Sequence, residues 1–194
     1  MDYVVNINKA IATSIDFANR TSVKASLDLW KCGIYAHGVK YLINMIAKKT
    51  QITRLYLGYN NIGDEGTKYL ADALAKDTKL TSLYLSSNNI GAEGTKYLAD
   101  ALAKNNKLTN LNLYNNNIGD QGAKYLANML IKNTTLTSLD LEYNNMPNLV
   151  VIDTLITRNK NYKVSRPSLS IFRAKSLLPT ELYSLIDNCV LLQC

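Results

Sequence analysis

A segment of 28 residues returns four times with almost no drift, and few architectures can accommodate such a chain. It begins at Ile52 (ITRLYLGYNNIGDEGTKYLADALAKDTK), at Leu80 (LTSLYLSSNNIGAEGTKYLADALAKNNK), at Leu108 (LTNLNLYNNNIGDQGAKYLANMLIKNTT) and at Leu136 (LTSLDLEYNNMPNLVVIDTLITRNKNYK). A looser copy starts at Lys24 (KASLDLWKCGIYAHGVKYLINMIAKKTQ). Tandem units of this length predict a solenoid, in which each unit buries its apolar face only against its neighbours.

Within a unit, Leu55 and Leu57 alternate with polar neighbours at the period of a half-buried strand. In TKYLADALAK, Leu70, Ala73 and Leu74 fall on one helical stripe. Strand, crossover and helix in register predict an α/β stack with a parallel sheet on one face and helices on the other. Strands sit about 4.8 Å apart and helices need about 8–10 Å, so the stack should curve with its strands inside. Asn60, Asn88, Asn116 and Asn144 share one place at the strand exit, where an inward amide can satisfy buried turn groups. Cys32 holds that place in the first unit, which predicts a shielded, unreactive thiol. Gly63, Gly91 and Gly119 should permit a tight turn, and Gly66, Gly94 and Gly122 a close helix start. Asp64, Glu65, Glu93 and Asp120 suit the positive end of a helix dipole.

The pattern L-x-x-L-x-L-x-x-N-x-I resembles a leucine-rich repeat, and the full helix after G-x-x-G resembles the ribonuclease-inhibitor subfamily. The resemblance covers residues 24–163. It implies a horseshoe arc that binds a protein partner on its concave sheet, in some members by covering the partner's active site. Short chains of this kind also look like leucine-rich effectors of intracellular bacteria. The expected organisation is one domain over residues 1–194: an N-terminal helical cap (1–23), five repeats (24–163) and a C-terminal cap (164–194). Ile7, Ile11, Ile15 and Ala18 would face the first unit. Pro167 interrupts the pattern, SLSIF (168–172) could add an edge strand, and Pro179 would open a last helix.

No apolar run is long enough to span a membrane, and MDYVVNINKA lacks the features of a secretory signal. Three cysteines do not make a disulfide framework, so a reducing compartment is expected: the cytoplasm, or a host cytosol for a bacterial effector. The net charge is +7. Much of the basic charge repeats on the helices, as Lys40, Lys68, Lys96 and Lys124 and as Lys48, Lys76, Lys104 and Lys132. These columns predict a solvated outer surface, with basic nucleic-acid binding as the alternative. No cofactor, metal or catalytic residue is expected. His37 is the only histidine and sits at a helix start, and every Gly-rich turn belongs to the repeat. LLPTELYSLI (177–186) is similar to the opening of an F-box, which would make the chain a ubiquitin-ligase adaptor.

Comparing copies separates scaffold from variable surface. TKYLADALAK is identical at 67–76 and 95–104. The third, fifth, seventh and eighth places of each unit, which point off the inner sheet face, differ from copy to copy. They hold the only Trp and five tyrosines, with charged and amide groups among them. The candidate partner-binding residues are therefore Asp28, Trp30, Arg54, Tyr56, Tyr59, Tyr84, Asn112, Tyr114, Asp140, Glu142 and Tyr143. Large rings with a polar handle are what binding surfaces favour. The leading expectation is a non-enzymatic module, monomeric without its partner, that binds and inhibits or modulates one protein. A second tyrosine column, Tyr41, Tyr69, Tyr97 and Tyr125, adjoins the helix core and is expected to pack there.

Overall fold

A computed structural model describes residues 25–46, 52–76, 79–146 and 149–164. The caps expected over 1–23 and beyond 164, with Cys189 and Cys194, lie outside the described residues. Five parallel strands stack in chain order: β1 (Ala25–Asp28), β2 (Ile52–Tyr56), β3 (Ser82–Tyr84), β4 (Asn110–Asn112) and β5 (Ser138–Asp140). Each is followed by a helix: α1 (Tyr35–Ile46), α2 (Gly63–Leu74), α3 (Ala92–Leu102), α4 (Gly119–Lys132) and α5 (Val150–Val164). Equivalent residues pair across the sheet, Arg54 with Ser82 with Asn110 with Ser138. The sheet is therefore in register with the repeat.

Between the layers runs one apolar core. Leu55, Leu83 and Leu113 from the strand side and Leu98, Leu102, Leu126 and Leu130 from the helices are almost wholly removed from solvent. The helices pack closely at their starts. A methyl on Gly66 would come within 3.0 Å of the Ala36 backbone, so glycine is needed there. Gly63 and Gly119 turn with φ of +62° and +60°, as expected. Gly91 does not: it is extended at φ −94°, because its N–H donates to Asp64 Oδ1 of the preceding unit at 2.7 Å. The fifth unit keeps the strand register but differs at the helix start. Pro147 takes the place of that turn glycine, and the helix begins only at Val150.

The asparagine column is a ladder joining units. Asn88 donates from Nδ2 to Leu57 O of the unit before (2.8 Å) and to Ser86 O (3.1 Å). Its Oδ1 accepts the N–H of Asn60 (3.0 Å) and Ile62 (3.3 Å). Asn60, Asn116 and Asn144 repeat the arrangement, all nearly inaccessible to solvent. Two further ladders run beside it. Thr81, Thr109 and Thr137 each donate Oγ1 to the carbonyl of the threonine one unit earlier, at 3.1–3.3 Å. At the helix ends, Asn105 Nδ2 donates to Leu74 O (2.8 Å) and Asn133 Nδ2 to Leu102 O (2.7 Å). In the last unit Arg158 takes over, donating to Leu130 O at 2.7 Å.

Cys32 is only half-buried, contrary to the expectation of a shielded thiol. Its side chain is too short to span two units as an amide does, and the thiol donates to the nearby Trp30 O at 3.5 Å. Burial first, and then the Asp28 carboxylate, push its pKa up.

Asn88→Ala would leave several buried turn groups unpaired and should lower the unfolding free energy by about 1–3 kcal/mol, read by urea denaturation. The Cys32 thiol should react with a maleimide more slowly in the folded chain than in denaturant. Its raised folded pKa adds stability that is complete below the unfolded thiol pKa and is lost as pH rises through the folded value. Peptide mapping after pulsed labelling at several pH values checks both.

Candidate functional site

The places that differ from unit to unit lie together on the outward side of the sheet, because strand alternation sends the leucines inward and the fifth and seventh places out. Register then sets equivalent residues side by side. Tyr56 pairs with Tyr84 across β2 and β3, and their rings stack 4.3 Å apart within 7° of parallel. Burial against each other and the sheet pushes the Tyr56 phenol pKa up, with Tyr84 adding to the shift.

Two more aromatic pairs flank this stack. Trp30 and Tyr59 meet edge to face with centroids 5.4 Å apart, and Tyr114 and Tyr143 meet at 5.0 Å with a 58° tilt. Each joins the seventh place of one unit to the eighth of the next. Tyr56, Tyr84 and Tyr114 are half-buried by these contacts, less open than their strand positions alone suggest. Trp30, Tyr59 and Tyr143 remain open at 50%, 47% and 70% exposure. Gly58 is buried beneath the indole. A methyl there would come within 2.9 Å of Trp30 Cδ1 and 2.8 Å of Ser86 Oγ, so its absence makes the slot in which the indole lies.

The eighth place is left-handed in all five units, at Lys31, Tyr59, Ser87, Asn115 and Tyr143, with φ between 51° and 59°. Glycine or asparagine would be less strained there than tyrosine. The polar members of the surface are also held in place. Asp28 Oδ1 accepts the Trp30 N–H at 3.0 Å. Asn112 Oδ1 accepts that of Tyr114 at 3.1 Å, while its Nδ2 donates to Asp140 Oδ2 at 2.7 Å. Asp140 Oδ1 accepts the Glu142 N–H at 3.2 Å. Arg54 and Glu142 are exposed. Lys31 and Arg54 lie toward β1 and β2 together with the single carboxylate of Asp28, and two carboxylates, Asp140 and Glu142, lie at β5.

The helical face is organised differently. Lys40 Nζ lies 5.5 Å from the Tyr69 ring centre, and Lys68 Nζ the same distance from Tyr97, each reaching one unit onward. Tyr69, Tyr97 and Tyr125 pack on the core as expected. Tyr41 does not: it is 48% exposed. His37 is exposed at its helix start. Among the described residues no three of His, Cys, Asp and Glu converge as metal ligands, and no helix is long and apolar enough to cross a membrane. The residues brought together can cover and hydrogen-bond an apposed surface.

Gly58→Ala should push the indole out of its slot, visible as altered near-UV circular dichroism and emission of the single Trp, at a stability cost below about 1 kcal/mol. Unchanged Trp spectra would contradict the slot.

Comparison with known proteins agrees with this geometry. The family model described as "Leucine Rich repeat" matches residues 48–71, 76–99, 104–127 and 132–146. A comparison with curated proteins finds no match. Among solved structures, the chain is similar to leiomodin-1 actin-binding site 2, with a TM-score of 0.68, 20% identity, and coverage of 85% of this chain and 91% of that one. It is also similar to the tropomodulin C-terminal domain from Caenorhabditis elegans, with a TM-score of 0.67, 13% identity, and coverage of 80% and 96%. The chain is built of leucine-rich repeats and folds as an open leucine-rich-repeat solenoid.

Proposed function

We propose that the chain is a non-enzymatic module that binds one protein partner on the outward face of its sheet and inhibits or modulates that partner. The observation that carries this reading is the run of three aromatic pairs on one face of the five strands. At about 4.8 Å per strand the run is roughly 20 Å long, the scale of a standard interface of about 800 Å² per partner. Rings already stacked before binding lose little conformational freedom on docking. Tyrosine kept at strained left-handed positions (Tyr59, Tyr143) also supports a role beyond the fold.

The lysine columns support the competing nucleic-acid reading less well. Lys40 and Lys68 are engaged with rings of the following unit, and the sheet face carries Asp28, Asp140 and Glu142. The F-box reading rests on residues 177–186, outside the described part of the chain. Actin, which the leiomodin-1 site binds by its name, is the first partner to try, by co-sedimentation.

Affinity capture under reducing conditions, followed by mass spectrometry, would identify a partner directly. Against that partner, Trp30→Ala and Tyr84→Ala should each weaken binding by about 2 kcal/mol. Lys68→Ala with Lys96→Ala on the helical face should change binding little, with a stability cost of about 0.5–1 kcal/mol from the lost Lys68–Tyr97 contact. Calorimetric titration of the variants tests the reading. Normal binding by the aromatic variants, with loss in the lysine pair, would overturn it.

A further inference from the structure

The sheet face contains the same seventh-to-eighth aromatic pairing twice, as Trp30–Tyr59 and as Tyr114–Tyr143. Each joins a seventh place to the eighth place of the next unit, with nearly equal spacing and tilt. The backbone frames match as well: Lys31 N donates to Gly58 O at 3.0 Å, and Asn115 N donates to Glu142 O at 2.9 Å. The two clusters therefore differ mainly in their side chains.

In the first cluster the chain supplies its own cation. Lys31 Nζ lies 4.2 Å from the Trp30 ring centre and 5.1 Å from that of Tyr59, close enough for the ring faces to attract the ammonium. In the second cluster Asn115 stands where Lys31 stands in the first. Its amide is turned toward the preceding unit, donating to Ser87 Oγ at 2.8 Å. Glu142 stands where the first cluster has Gly58, and Asp140 lies two residues before it on the same strand exit. Among the described residues no lysine or arginine is placed over Tyr114 or Tyr143. The second cluster thus keeps an aromatic pair, omits the cation and carries two carboxylates, Asp140 and Glu142, where the first has Asp28 alone.

We infer that Tyr114, Tyr143 and Glu142 form a seat for one basic side chain, arginine or lysine, projecting from the protein partner. This rests on the sheet-face reading above and specifies its chemistry at the β4–β5 end. The incoming cation would lie against the two rings as Lys31 lies against Trp30 and Tyr59, with the Glu142 carboxylate as its counter-charge. Tyr143, at 70% exposure, is open to such a group. The Tyr114 phenol pKa is pushed up by burial first, then by Tyr143, the Glu142 carboxylate and Tyr59, which places Glu142 among the near neighbours of the ring. An arginine would satisfy the seat best, since its planar guanidinium can stack on a ring and still donate to the carboxylate. The Trp30–Tyr59 end already holds Lys31, flanked by Arg54, and its one carboxylate, Asp28, accepts the Trp30 N–H, so an incoming basic group is favoured at the β4–β5 end and the partner is oriented on the sheet.

The test uses the full chain and a small probe. Nα-acetyl-arginine amide is titrated into isotope-labelled protein, with Nα-acetyl-citrulline amide as the uncharged isostere, and amide and tyrosine ring signals are followed by NMR. The arginine probe should give saturable shifts at Tyr114, Glu142 and Tyr143 at millimolar concentration and leave Trp30 unmoved, while citrulline binds more weakly. Glu142→Gln, an exposed and conservative change, should weaken arginine binding by about two- to fivefold. Absence of saturable shifts, equal binding of citrulline, or undiminished binding by Glu142→Gln would each overturn the seat. If the probe fails while Trp30→Ala or Tyr84→Ala still weakens the partner complex, the sheet-face reading stands and the cation seat alone falls.

Discussion

Everything in this molecule depends on the buried amide that each unit lends to the one before it. A strand that ends and turns under its own sheet leaves carbonyls and N–H groups away from water, and each such group left unpaired costs free energy comparable to a lost hydrogen bond. One asparagine side chain has donors and an acceptor enough to satisfy groups in two units at once, as Asn88 does with Leu57 O, Ser86 O, and the Asn60 and Ile62 N–H groups. The threonine ladder at the strand start and the Asn105–Asn133–Arg158 series at the helix ends do the same at two other points. The second to fifth units are thus fastened to one another at three places around a shared apolar core. Stability in such a stack resides in the junctions, because no single unit can bury its own face.

That division leaves the outward strand positions outside the three ladders, and the chain fills them unequally. The stacked Tyr56–Tyr84 pair follows directly from register, since parallel pairing sets the same place of two units side by side. The two diagonal pairs need more: a left-handed eighth residue, and at Gly58 the absence of a side chain. The helical face shows the contrasting case, with Lys40 and Lys68 laid over successive tyrosines as a by-product of the period.

The leucine and asparagine periodicity made the architecture legible, because a repeated unit exposes its constraints several times over. The strands, the helices of the middle units and the ladder could all be read that way. What escaped the sequence depends on partners brought from different units. Thr81 and Asn105 look like ordinary polar residues until the stacking places a carbonyl of the unit before within reach. Arg158 sits three residues from the place Asn133 occupies in its own unit, so no column reveals it. Cys32 was read by its column, yet a thiol has neither the length nor the donors of an amide and stays half-buried. Tyr41 shares a column with three packed rings and is exposed all the same. For the surface, the sequence singled out the variable residues, but the pairing of seventh with eighth places comes from the backbone turn, which a strand pattern does not contain.

The strict 28-residue register also makes the solenoid a ruler. The Trp30–Tyr59 and Tyr114–Tyr143 clusters lie on a common axis, and their separation is a whole number of strand spacings. Adding or removing one unit between them would move the clusters by about 4.8 Å, with a small added rotation from the curvature, and leave each intact. The distance between two recognition elements can therefore change in steps without redesign of either. The number of repeats, independently of their composition, sets which spacing of groups on an apposed surface can be met at once.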